Sequence, residues 1–395
     1  MKRYALTFTA CVLACNSTAL AQFSTQAEQR SKANQRAFSN ISDMFATFDD
    51  WHGPVTNLGI QPQMSWTRDT QANTNMVTGT LAIGSYTWIT PTLTTVIDLS
   101  IDQVANPQDG KTLVFSGEGF GVDDAYVVWS DQRVGLQAGM FTVPFGFDWG
   151  TLPGFFDTSF VSDYQFDNRV GGIASISTGN DGGGVHGLQA GVFSVDGSFL
   201  SKTVMTSSGP ANSGDPSPGD GGASWLISDT AAEIPLIAPS FAYQFSFISQ
   251  SPALGTTSRE NGLSGGFQWT LPLDGSVEAT VEGEFFSVTP SFEVVHFWDW
   301  QGIDGASADY FTPGLTFNYG DWELDLAATW RNSDDLTESS DDVLLSASVS
   351  YNFFSPQTQI QFGYAYQDTS DGVDHMIGMQ INMPINVISY GLLGK

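Results

Sequence analysis

Trp322-Glu323-Leu324-Asp325-Leu326-Ala327-Ala328-Thr329-Trp330 is the stretch on which the fold turns. Trp322, Leu324, Leu326, Ala328 and Trp330 share one face of an extended chain; Glu323, Asp325, Ala327 and Thr329 share the other. Eight steps of roughly 3.3 Å, tilted about 40°, lift the chain about 20 Å, close to the height of the apolar band of a membrane barrel. A Trp at each end suits the two membrane–water interfaces, where amphipathic rings collect. Such a strand offers one face to hydrocarbon and the other to water.

The alternation recurs on both sides. Val343, Leu345, Ala347, Val349, Tyr351 and Phe353 are interleaved with Leu344, Ser346, Ser348, Ser350 and Asn352. Ile360, Phe362, Tyr364 and Tyr366 are interleaved with Gln359, Gln361, Gly363 and Ala365. Further upstream Val277, Ala279, Val281 and Phe285 oppose Glu278, Thr280, Glu282 and Glu284. Tight turns at Asp131-Gln132, Asp274-Gly275, Gly320-Asp321 and Ser355-Pro356-Gln357 alternate with polar links over 250–261, 286–310, 331–341 and 368–374. Short turn, long loop, short turn is how a barrel is threaded between two aqueous rims.

From residue 241 onward this scheme predicts eight strands. Earlier candidates are 57–66, 77–85, 92–101, 123–130, 133–142, 170–177, 185–195 and 223–230, with 207–222 as an external loop. The expected fold is all-β, a transmembrane antiparallel barrel of about sixteen strands over 51–395, preceded by a short, partly helical segment. A soluble sandwich also alternates, so a secreted β-sheet binding protein is the competing reading.

The N-terminal residues carry an export address. Lys2 and Arg3 precede an apolar stretch, and Ala19-Leu20-Ala21 forms a small-x-small cleavage site, predicting a signal peptide over 1–21. Cys15 in Val12-Leu13-Ala14-Cys15 offers a lipoprotein site as the alternative. Cys11 and Cys15 are the only cysteines, so the exported chain contains no disulfide. Residues 22–50 read as a polar, weakly helical periplasmic leader. With 42 acidic against 13 basic residues and a formal net charge of −29, the chain lacks the Lys/Arg patches that nucleic acid requires.

Gly139-Met140-Phe141-Thr142-Val143-Pro144-Phe145-Gly146 resembles the G-x-F-x-x-P-F-G strand-to-loop motif of phosphate-selective porins, and is similar to siderophore-associated porins. The resemblance implies a bacterial outer-membrane porin in which the loop after this strand, here 147–168, reaches the channel. Thr142 stands where phosphate-selective members commonly carry Lys, and the loop is acidic, so phosphate selectivity is not carried over.

The expected activity is passive diffusion of small hydrophilic solutes or ions across the outer membrane of a Gram-negative bacterium, with a weak preference for cations. Alternation places Glu278, Glu282, Glu284, Glu323, Asp325, Arg133 and Gln137 on the pore lining, and Val134, Leu136, Ala138 and Met140 toward lipid. Asp148, Asp157, Asp163 and Asp167, with Arg169 as counter-charge, are the expected constriction-loop residues. A substrate-specific uptake channel, for a chelated metal or siderophore, phosphate or an organic acid, shares the same pattern. Expected partners are outer-membrane lipid and lipopolysaccharide, small hydrophilic solutes and two further copies in a homotrimer.

Catalytic and metal readings are weaker. His52, His186, His296 and His375 lack metal-ligand spacing and read as rim or lumen residues. No G-x-S-x-G elbow is present, so no enzyme is expected. Asp299, Asp304 and Asp309 only loosely resemble a calcium loop, and solvated loop carboxylates are the simpler reading; no cofactor is expected.

Overall fold

A computed structural model describes residues 54–390, except 105–108, 132, 148–152, 157, 181–183, 199, 201–221, 233, 235–239, 253–255, 274–285, 336–338, 354–357 and 371. The predicted signal peptide, the leader segment, His52, the 207–221 part of the external loop and the strand expected around Val277 lie outside the described residues.

Among the described residues, sixteen antiparallel strands close into one barrel. They are β1 (Val55–Asp69), β2 (Thr74–Thr90), β3 (Leu93–Gln103), β4 (Glu118–Asp131), β5 (Val134–Phe141), β6 (Arg169–Asn180), β7 (Gly184–Val195) and β8 (Ser224–Ala232). There follow β9 (Ala242–Gln250), β10 (Glu260–Gln268, carried on by Leu271–Pro272), β11 (Phe286–Trp298), β12 (Ser307–Tyr319) and β13 (Trp322–Asp334). The last are β14 (Ser339–Phe353), β15 (Thr358–Thr369) and β16 (Gly372–Asn382, carried on by Ile385–Tyr390). Closure is made by β16 on β1, with Gln63 opposite Asn382, Asp69 opposite Met376, and Ile385–Tyr390 along Val55 to Ile60. Closure matters because no backbone edge can stay unpaired in hydrocarbon.

Strand phase follows the alternation. On β13, Leu324, Leu326 and Trp330 are exposed on the outer wall, while Asp325 and Thr329 are buried within. On β14, Ser346, Ser348 and Ser350 are buried and Leu345 and Val349 exposed. The outer wall is a continuous apolar band: Ile97, Val127, Leu136, Ile176 and Leu188 on β3–β7, then Phe245, Phe311, Trp322 and Phe362 on β9–β15. A water-soluble protein does not expose such a band.

Two expectations need correction. The segment read as a polar link over 286–310 contains β11 and the start of β12. Pro290, Glu293 and His296 break up the apolar run, yet Ser287, Ser291, Glu293, Val295 and Phe297 all face inward and are buried. Met140, expected against lipid, is only 2 % exposed, whereas Val134, Leu136 and Ala138 on the same strand are exposed.

One rim carries the shorter turns, such as 91–92, 132–133 and 320–321; the other carries the longer connections 104–117, 142–168 and 196–223. By the usual threading the second rim is extracellular. There, Thr112–Val114 pairs in parallel with Asn75 to Val77, covering the edge of β2 that the shorter β3 leaves bare.

Candidate functional site

The described residues of the connection 142–168 fold into the barrel and fill part of its lumen. Its entry depends on the glycines of the strand-to-loop motif. Gly139 has φ +142°, and a Cβ there would overlap the Ala125 carbonyl and Tyr126. Gly146 has φ +87°, a conformation other side chains rarely adopt, and a Cβ there would press on Tyr164 and Glu293. Both positions favour glycine for backbone and for space.

Between them Pro144 turns the chain inward. Its carbonyl accepts hydrogen bonds from Gln244 Nε2 at 3.3 Å and Ser246 Oγ at 3.4 Å on β9. Phe145 is fully buried between Tyr164 and Phe166 of the loop and Phe297 of β11, with ring centroids 6.4, 5.6 and 5.6 Å away. A short helical turn, Thr158–Val161, and the adjoining Ser162–Tyr164 present Phe160, Val161 and Tyr164, all buried, to the wall. This apolar cluster, continued on the wall by Val128, Leu226, Ile248 and Leu344, anchors the loop inside the lumen.

Glu293 on β11 ties the two limbs of the loop together. It is fully buried; Oε2 accepts the Tyr164 hydroxyl at 2.9 Å and Oε1 accepts the Phe147 backbone N–H. Asp163 makes a second tether. Its Oδ2 accepts the Tyr310 hydroxyl at 2.9 Å and Arg331 Nη1 at 2.7 Å. Arg331 also donates to Asp342 Oδ2 at 2.7 Å, and its guanidinium sits 4.5 Å from the centre of the Phe160 ring. At the loop's root, Thr142 donates its N–H to Asp124 at 3.0 Å and its hydroxyl to Asp167 at 2.8 Å. Burial pushes the Asp167 carboxyl above the usual range, opposed by the Thr142 and Gln165 hydrogen bonds and the Arg169 charge.

A track of small wall residues lets the loop cross. A side chain at Gly266 on β10 would strike Phe147, one at Gly314 on β12 would strike Pro153, and ones at Gly363 and Gly378 on β15 and β16 would strike Phe155. Phe147, Pro153 and Phe155 therefore lie against the inner wall at β10, β12 and the β15–β16 pair.

The wall beside it is acidic. A bulge opposite Asp98 and Leu99 inserts an extra residue in β4, so that Asp123 and Asp124 both reach the lumen side. Asp123 accepts Ser100 Oγ at 2.7 Å, and Asp98 and Asp124 are 2 % and 3 % exposed. Asp325, also 3 % exposed, accepts Thr316 Oγ1 at 2.9 Å and Ser348 Oγ at 3.1 Å.

Of the residues expected from sequence, Glu323 and Asp325 share the inward phase of β13, and Gln137 is half-buried on β5 in phase with inward-facing Phe141. Arg133 is exposed at the turn before β5, away from the loop's anchoring cluster, and its carbonyl accepts the Ser177 N–H. Asp163 and Asp167 are engaged with the wall and the loop root, and Arg169 is buried at the start of β6 with its guanidinium 5.9 Å from the Phe166 ring centre. Glu278, Glu282, Glu284, Asp148 and Asp157 lie outside the described residues. Glu293, Arg331, Asp342, Asp98 and Asp124 were not singled out from sequence. Strand phase alone would have flagged Asp342, which alternates with Val343.

Among the described residues no group of three or more His, Cys, Asp or Glu is placed to hold a metal ion. The loosely calcium-like aspartates have other duties: Asp299 caps a turn through the Gly305 N–H at 2.8 Å, and Asp309 pairs with His296 at 2.7 Å. The described histidines all sit on outward-phase positions, bonded to Tyr243, Asp309 and Tyr364 at 3.0, 2.7 and 2.8 Å.

No protein-family model matches the chain, and no curated protein sequence matches it. Solved structures do. Pseudomonas putida OprB, determined at high pH, is 10 % identical, with 85 % of this chain and 94 % of that one covered at a TM-score of 0.57. The outer membrane channel DcaP of Acinetobacter baumannii is 11 % identical over 84 % and 98 % of the two chains, at 0.52. Pseudomonas aeruginosa OpdK, solved with vanillate, is 7 % identical over 84 % and 99 %, at 0.50. The chain thus has the fold of outer-membrane channels.

Proposed function

We propose that the protein is an outer-membrane porin through which small hydrophilic solutes and ions diffuse passively, with a weak preference for cations. The observation that carries this reading is that the described residues of the loop 142–168 are held inside a closed sixteen-strand barrel whose inner wall is rich in polar residues. A barrel of this strand number leaves an aqueous channel, and an inward loop narrows it. Carboxylates beside the loop, at Asp98, Asp123 and Asp325, favour cations, whereas Arg331 is already paired with Asp163 and Asp342. The mechanism needs no covalent step and no energy source. Export by the 1–21 signal peptide and residence in the outer membrane belong to the same reading.

The test is reversal potential across a planar bilayer for the refolded protein in a salt gradient. Discrete steps with a cation-selective shift are expected, and Asp98→Asn with Asp325→Asn reduces that shift. An anion-selective shift would sink the lumen assignment; saturable block by an added organic acid would move the protein to the substrate-specific class.

Assembly belongs to the same reading. Exposed large rings crowd β8–β15, with Trp225, Phe245, Trp298, Phe311, Trp330 and Phe362. The strands of the arc β3–β7 expose chiefly Val, Ile and Leu, with Trp129 as the exposed ring among them and Phe115 exposed on the connection between β3 and β4. Aromatic residues mark a wall that meets lipid and water, so the aliphatic arc is the face assigned to subunit contact in a homotrimer.

A further inference from the structure

The apolar cluster that anchors the loop covers the inner wall unevenly. Its buried members come from the loop, β2–β9, β11, β12, β14 and β15; among the described residues β1 gives none. Instead, Gln63 and Ser65 of β1 stand in register with Asn382 and Gln380 of β16, and these in turn with Gln359 and Gln361 of β15. Six neighbouring positions on one wall thus carry amides or a hydroxyl. This polar strip starts where the loop narrows the channel. Phe155 sits on Gly363 and Gly378, and Gln361 and Gln380 are the next inward-facing residues on the same two strands, on the periplasmic side.

The strip is short of hydrogen-bond donors. Asp325 accepts Ser348 Oγ at 3.1 Å, which uses the single hydroxyl proton of Ser348. Gln361 must therefore turn its nitrogen to Ser348, donating from Nε2 at 3.1 Å, and its carbonyl oxygen is left for other partners. Gln63 spends Nε2 on Gln380 Oε1 at 2.8 Å. Among the described residues, the enclosed Gln63 Oε1 and Asn57 Oδ1 accept no hydrogen bond. An enclosed acceptor is costly until a guest brings it a donor. Arg68 is the one basic residue of β14–β16, β1 and β2, and it falls on the outward phase. Above the strip, Phe155 and Phe156 are half-buried with ring centroids 4.5 Å apart, an apolar surface with π faces that attract cations.

We propose that this strip selects primary alkylammonium solutes, with the ammonium N–H groups on the amide and hydroxyl oxygens and the alkyl chain against Phe155. This deepens the channel reading and rests on it. Negative charge in the lumen draws in any cation. Three N–H donors and a short apolar tail then separate an alkylammonium from potassium, which offers no donor, and from tetramethylammonium, which carries charge and methyl groups but no N–H. A neutral polyol brings donors but no charge to answer the surrounding carboxylates. An anion meets oxygens that repel it.

The experiment is bi-ionic reversal potential across a planar bilayer for the refolded full chain, with potassium chloride on one side and propylammonium or tetramethylammonium chloride on the other. After correction for mobility in water, propylammonium is expected to be about twofold more permeant than potassium or better, the lower end of what one net hydrogen bond contributes, and tetramethylammonium no more permeant than potassium. Gln63→Leu combined with Gln380→Leu removes the propylammonium advantage, whereas Ser175→Ala, away from the strip on β6, keeps it. Heat-modifiable mobility checks folding, and Gln380→Leu alone takes the place of the double variant if that misfolds. Permeabilities that follow mobility in water, an equal gain for tetramethylammonium, or an advantage untouched by the leucines would each overturn the strip while leaving a cation channel. Plain potassium chloride gradients on the same samples separate the two readings: anion selectivity, or no conductance from folded protein, overturns the channel reading and the strip with it.

Discussion

Glu293 and Arg331 hold the loop with opposite charges, and removing each has a different consequence. Glu293 is fully buried and serves two donors on the loop, the Tyr164 hydroxyl and the Phe147 N–H. In Glu293→Ala both donors lose their acceptor, at about 1–3 kcal/mol for each group left unsatisfied. The barrel ladder is untouched, so the expected result is a folded protein with noisier and larger single-channel steps; steps identical to the parent would show that the tether does not limit the pore. Arg331 balances Asp163 and Asp342, with the three side chains 21 %, 28 % and 1 % exposed. Arg331→Met strands two carboxylates, and breaking such a pair costs about 3–5 kcal/mol when buried. Urea unfolding in lipid vesicles is expected to shift downward accordingly, less any relief that lumen water gives Asp163, and the reversal potential is expected to become more cation-selective.

The loop as an element depends on what the wall omits. Gly363 and Gly378 on neighbouring strands leave the space that Phe155 occupies. Gly363→Leu forces Phe155 toward the channel axis, since overpacking of this kind costs about 1–3 kcal/mol and the loop is softer than the closed ladder. Conductance is expected to fall while heat-modifiable mobility stays; an unchanged conductance would place the narrowing elsewhere. Sequence made part of this legible. Alternation located the strands because each face meets a different solvent, and the motif at Gly139 to Gly146 pointed to the inward loop. It failed at β11, where Pro290, Glu293 and His296 obscured the period, and so it missed the carboxylate that anchors that loop. Alternation assigns a face and says nothing of partners: Asp163 was named, but Arg331 lies 168 positions away and meets it only through barrel closure.

At the scale of the whole molecule the outer wall divides into a ring-rich arc and an aliphatic one. Rings on β8–β15 fit a surface held at a lipid–water boundary, and the aliphatic arc of β3–β7 fits close packing against another wall. If the arc is a subunit contact, Leu136 on β5 is shielded in the assembly and Phe362 on β15 is not, although the isolated chain exposes them similarly, at 49 % and 53 %. Cysteine is absent from 16–395, so Leu136→Cys and Phe362→Cys each introduce a unique labelling position in the exported chain. With a nitroxide attached, collision with dissolved oxygen reports contact with hydrocarbon. The label at 362 is expected to collide freely at every stage. The label at 136 is expected to be protected until unheated detergent separates the copies, and then to match it. Equal collision from the outset would mean that both arcs face lipid and that the barrel works alone, leaving the shortage of rings on β3–β7 without an assembly role.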